Sequence, residues 1–295
     1  MITIETQRVD WKKWRSIAFT SLTVVLSIVL VIAGTFEFIP AWILRNPPDA
    51  IHLWHIAELT ALSLLLGGVM FGLVRKPEEK PLLAQFIVIS VIILAAGLAP
   101  FDIRLIALLP LAGLLALTYP QPRALLSFSL KGRISAALLA ITVPLAVVLD
   151  PIIQQEIHYQ IIGMSEHDAH ALVFHWIGSA LLMVFLILAG VMASTKRPGW
   201  KRLGIMTGLT YCFLGVIALI VPGYGAGAWS EAGGLFALFF GGLYILITLA
   251  EAEGTSQRVS ISVSNTVTVP VTLPTNKTEE SKAMSELESA SMGRK

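Results

Sequence analysis

The sequence predicts an all-α, polytopic membrane protein with about eight transmembrane helices arranged as two tandem four-helix bundles. Three observations carry this. Of the 295 residues, 55% are hydrophobic and only 14% charged, whereas a soluble domain carries roughly a quarter charged residues. The apolar surplus falls in long uninterrupted runs, and a helix needs about 20 residues to cross the hydrocarbon layer while satisfying its own backbone. Lysine and arginine, finally, cluster in alternate connections between those runs.

The runs define spans at 16–39, 50–74, 82–100, 102–119, 134–151, 169–194, 203–222 and 230–250. The first is too long for the apolar region of a signal peptide and lacks a small-x-small cleavage site behind it, so it reads as a retained span. The fourth is short and contains Pro110, which predicts a kinked helix. Asp49 and Asp168 stand where helix N-caps are expected at the second and sixth spans. Residues 253–295 are rich in Ser, Thr and Val at first and mix charge with Ala later, and read as a disordered cytoplasmic tail.

Orientation follows from the basic residues. Fourteen lie before span one or in the loops after spans two, four and six, among them Lys12, Lys13, Arg75, Lys80, Arg123, Arg197 and Arg202, against Arg45 and Arg104 on the other side. The positive-inside rule then expects a multi-pass cell-membrane protein with both termini cytoplasmic. Trp11, Trp14 and Trp200 fall at the inner boundary and Trp42, Trp54, Trp176 and Trp229 at the outer one, the positions of an aromatic belt.

The chain also resembles itself. His55 in span two and His175 in span six stand at similar distances from Arg75-Lys76-Pro77 and Lys196-Arg197-Pro198, and Glu37 with Pro40 matches Asp150 with Pro151 before them. Two parallel repeats, 1–125 and 126–252, would produce this pattern.

All six histidines and most acidic residues of the spans map to the side opposite the basic loops. His52, His55 and Glu58 follow at i+3 steps and share one helix face. A carboxylate at the depth of Glu58 is costly unless protonated, wet or paired, which makes it the candidate catalytic, proton-handling residue. On a continuous sixth span Asp168 and His175, seven apart, would be nearly eclipsed, with His170 beside them. Histidine is a common ligand of haem and of transition metals, so His52, His55, His170 and His175 are candidate cofactor ligands, with His55 and His175 the pair best placed to meet across a pseudo-twofold axis. His158 and His167 read as solvated loop residues. The lone Cys212 excludes an internal disulfide and a thiolate cluster. No P-loop or dinucleotide fingerprint is present, and the basic residues line the membrane and form no nucleic-acid patch.

Eight spans, a parallel four-plus-four repeat and an outer-side histidine starting the second helix of each half resemble heme A synthase. The segment Ala50-Ile51-His52-Leu53-Trp54-His55 is similar to that family's second-helix motif, with His55 at the ligand position, His52 where the family has an acid, and His175 matching the second half. The resemblance covers 1 to about 250 and implies a haem near the outer face. Spans four and eight, where the family has partner histidines, carry none, and Ile56 and Trp176 replace its arginines.

The expected function is a membrane redox protein holding haem b through His55 and His175, exchanging electrons with a membrane quinol or other redox subunits. The same nitrogen and oxygen ligands would suit copper or zinc. Two other classes fit the pattern: a proton- or metal-coupled transporter working through Glu58, and a structural or assembly subunit of a membrane complex.

Overall fold

The computed structural model describes residues 11–44, 50–127, 134–221 and 229–265. Met1–Ala252 forms one compact unit and Glu253–Lys295 a second. Among the described residues there are helices and no strands, so the all-α reading holds. Among the described residues seven helices are long and apolar enough to cross a membrane.

The first, α1, spans Trp11–Phe36 and ends in a widened turn over Ile39–Ile43 that contains Pro40. Next, α2 covers Ala50–Leu73 and α3 covers Pro81–Leu98, with Pro81 in the first turn where its missing N–H costs nothing. The fourth segment differs from the expected kinked span. A tight turn over Ile103–Ala107, capped by Asp102 accepting from the Arg104 N–H, leads into α4, Leu108–Thr118. Pro110 therefore sits in the first turn of α4, where a ring is tolerated, and the whole apolar stretch covers only Ile103–Thr118. The short α5, Pro122–Leu125, follows.

The fifth span is longer than expected. As α6 it runs from Ala136 to Glu166 through both Pro144 and Pro151. Its 31 residues extend about 46 Å, against a hydrocarbon layer about 30 Å thick, so its last turns overhang. The sixth span is broken: α7, Ala169–Leu172, is separated from α8, His175–Ser194, by Val173 and a left-handed Phe174 at φ 62°. After α9, Trp200–Ile220, the last helix α10 runs Ser230–Asn265. Helix is described as far as Asn265; the rest of the expected tail, residues 266–295, lies outside the described residues.

Four helices form the centre. Trp54, Leu65, Val69 and Leu73 of α2, Phe86 of α3, Phe185 and Ala189 of α8 and Leu203 of α9 are all fully buried. Far less of α1, α6 and α10 is buried, and α1 exposes Val25, Ile28, Val29 and Ile32. So large an apolar surface is what a bilayer would cover. In the packing, α1 lies on α2 as α6 lies on α8, and α2 meets α9 as α8 meets α3.

The tryptophans divide. Trp11 and Trp14 are exposed as a belt requires, but Trp54, Trp176 and Trp229 are buried. Their large rings fill the interior: Trp176 packs against His55 and His170, and Trp54 against Trp229 with ring centres 6.2 Å apart.

Candidate functional site

The site forms where α2, α7 and α8 converge. On α2 the i+3 spacing puts His52, His55 and Glu58 on one face, and the structure keeps them there. His55 and Glu58 are buried, and the His55 Nδ1 lies 3.1 Å from Glu58 Oε2. Across the interface, the Ser179 hydroxyl of α8 donates to the same carboxylate oxygen.

The other half is built by the break in span six. Asp168 caps α7 by accepting from the Ala171 N–H at 3.1 Å, as its N-cap reading expects, and its second oxygen lies 3.3 Å from His170 Nδ1. The eclipsed Asp168–His175 geometry does not occur, because the helix is interrupted between them. Asp168 instead accepts from the Trp176 indole at 3.0 Å. Burial works against ionising Asp168, yet the hydrogen bonds from Trp176, His170 and Ala171 outweigh it and hold the carboxyl below its ordinary range. Gln160 of α6 fixes the break from behind: its amide donates to the Ala171 carbonyl at 2.8 Å and accepts from the Ile177 N–H at 3.2 Å. Gly163 allows the close approach, since a Cβ there would stand 2.6 Å from that of Ala171.

The break turns His170 and His175 toward α2. Ring centres of His55 and His175 are 5.0 Å apart, those of His55 and His170 5.5 Å, and those of His170 and His175 5.8 Å. His52 stands 4.6 Å from His170 and 6.1 Å from His175. Trp176 closes one side, edge-on to His55 at 4.7 Å. The structure therefore brings together all five residues singled out from the sequence: His52, His55, Glu58, His170 and His175. His158 and His167 are exposed and stay outside, and Asp49 lies outside the described residues.

Three side chains of the site escaped the sequence reading. Ser179 and Gln160 are ordinary polar residues with no spacing signature. Glu156 is more informative: it is fully buried on α6 with neither carboxylate oxygen hydrogen-bonded. A readable signal existed, because Leu149, Glu156, Gln160 and Gly163 form one buried stripe at helical spacing.

One ligand atom from each of His55, His170 and His175 lies within 4.8 Å of the others. His55 and His170 each have Nδ1 on a carboxylate, and carboxylate-backed imidazoles of this kind are the usual support of metal-bound histidine. His170 Nε2 and His175 Nδ1 are buried without a hydrogen-bond partner. An ion bonded to three nitrogens at about 2.0–2.1 Å would require only that the rings draw together by rotation. A porphyrin is a flat macrocycle far wider than an imidazole, and four rings packed within 4.6–6.1 Å hold no slot for one.

No protein-family model, curated protein or solved structure matches the chain. The functional reading accordingly rests on this geometry.

Proposed function

We propose that this chain is a membrane-embedded metalloprotein that holds one transition-metal ion, copper or zinc, through His55, His170 and His175, with His52 adjacent. The observation that carries the reading is the pair of carboxylate-backed histidines: Glu58 orients His55 and Asp168 orients His170, from separate helices, toward a common point. Buried imidazole nitrogens with no protein partner are costly unless something binds them. Copper there would support one-electron exchange, in keeping with a redox role, and zinc would polarise a bound oxygen. Nearby carboxylates at Glu58, Asp168 and Glu156 offset the charge of a dication.

The positive-inside asymmetry supports a cell-membrane setting with both termini cytoplasmic and the metal centre near the outer face. The heme A synthase resemblance supports the same side of the membrane for the histidines, although a haem between His55 and His175 would require those rings to part.

Metal analysis of detergent-purified protein, combined with a reduced-minus-oxidised visible spectrum, tests the reading. About one equivalent of copper or zinc, lost in His175→Ala, is expected. A metal-free protein with stoichiometric haem and sharp reduced bands would overturn it in favour of the haem reading.

A further inference from the structure

Beside the histidine cluster lies a cavity of about 300 Å³, walled by His55, Glu58, His175 and Ser179 on its inner side. That volume is at the lower end of the range for small-molecule sites. Its remaining wall is unlike an aqueous funnel. Glu37 and Val173 mark the rim and are exposed, and Leu59 and Leu62 carry the wall downward along α2. Leu59 is 40% exposed although it lies inside a membrane-spanning helix. Leu62 stands about 18 Å along the axis from Ala50, well within the depth of hydrocarbon. The cavity therefore opens sideways, onto the surface that faces lipid.

The charge of the wall narrows what it can hold. Two carboxylates, Glu37 and Glu58, line it, and among the described residues no lysine or arginine does. Phosphate or carboxylate head groups find no cationic side chain among those lining residues, whereas a neutral hydroxyl finds hydrogen-bond partners in Glu58 and Ser179. Gly178 contributes the space itself: a Cβ built on it meets nothing within 4 Å.

We propose that this chamber binds the hydroxyl head of a neutral amphiphile that enters laterally from the bilayer, the head lying beside Glu58 and Ser179 and the tail along Leu59 and Leu62. Aliphatic alcohols and alkylated hydroquinones share this chemistry. The inference rests on the metal-centre reading for what the head group meets, and on the cavity alone for the binding.

The test is photolabelling of the full chain in nanodiscs with a hexadecanol carrying a mid-chain diazirine, mapped by peptide mass spectrometry. Labelling should concentrate on 59–62 and 173–179 and fall about tenfold in Gly178→Phe, which fills the chamber. Gly178→Ala, which adds one methyl group to open space, should label as the parent does and shows that the position tolerates substitution. Excess hexadecanol or decylhydroquinone should compete, and whichever competes better identifies the head-group source; hexadecanoate should not compete. Labelling that is unchanged in Gly178→Phe, spread evenly over the lipid-facing side of α1, or displaced equally by hexadecanoate overturns the proposal. Metal content measured on the same sample reads the metal centre separately, so either proposal can fail while the other stands.

Discussion

The two ends of the helix bundle treat buried polar groups in opposite ways. At the basic end, they are tied to neighbours. Lys80 donates to the carbonyls of Gly72 and Arg75, Arg202 to that of Gly68, and Arg197 to Gln85, whose own amide reaches the Leu125 carbonyl. Lys196 meets Glu251 at 2.7 Å. These bonds cap helix ends and tie loops together, and they need nothing from outside. At the histidine end, Glu58 and Asp168 orient His55 and His170, while the Nε2 of His170 and the Nδ1 of His175 find no protein acceptor or donor. Glu156 adds two more unbonded oxygens. Interiors normally satisfy their polar groups, and where they leave several in one place a ligand is the economical explanation. On the proposed reading, one end serves stability and the other binding.

Substitutions can break this contrast. The largest effect is expected for His55→Ala combined with His175→Ala, which should abolish metal binding; retention of a full equivalent would show that the contrast is misassigned. Glu58→Ala removes the acceptor behind His55, and metal affinity should fall by about 10- to 100-fold, read by competition with a chromophoric chelator. His175→Leu sharpens the point in metal-free protein. It deletes a buried unbonded nitrogen, so thermal stability should hold or rise, whereas a clear loss would make His175 a structural residue.

Asp168 sits on both sides of the comparison, since it caps α7 and orients His170. Asp168→Ala should cost about 1 kcal/mol through the lost cap and weaken metal binding as well. Its acidity adds a pH signature. A carboxyl held below its ordinary value stabilises the fold fully above the unfolded pKa, near 4, and loses that contribution as pH falls through the lower folded value. Acid titration should therefore release α7 in a step below about pH 4 that Asp168→Asn lacks, followed by Trp176 fluorescence. The smallest effect is expected at the basic end, where Arg197→Ala should cost about 1 kcal/mol of stability and leave metal affinity unchanged.

How much of this was readable in advance depends on whether a helix continued. On α2 it did, so the i+3 spacing of His52, His55 and Glu58 translated directly into a shared face. The turn at Val173–Phe174 carries neither glycine nor proline, and a left-handed phenylalanine is set by tertiary contacts from Gln160 and Gly163, which spacing alone does not reveal. His170 and His175 were recognised as residue types, but their meeting point was not. The fifth span is bounded at 151 in the sequence, whereas the helix runs on through Pro151 for about four more turns that carry Glu156, as a membrane helix can when neighbours meet the freed carbonyls. The buried Trp54, Trp176 and Trp229 show the same limit, because an indole near a helix end suits the interface and the interior equally well.

The bend at Phe174 separates a ligand's place in the chain from its direction in space. On an unbroken helix, residues 170 and 175 would point about 140° apart, yet here both rings face His55. Inserting one residue between His52 and His55 would swing one of them by about 100° and dismantle that half. The same insertion at the bend would be taken up by the torsions of an already irregular segment. The site thus has one jaw set by a continuous helix, α2, and one set by a bend that Gln160 holds on both sides.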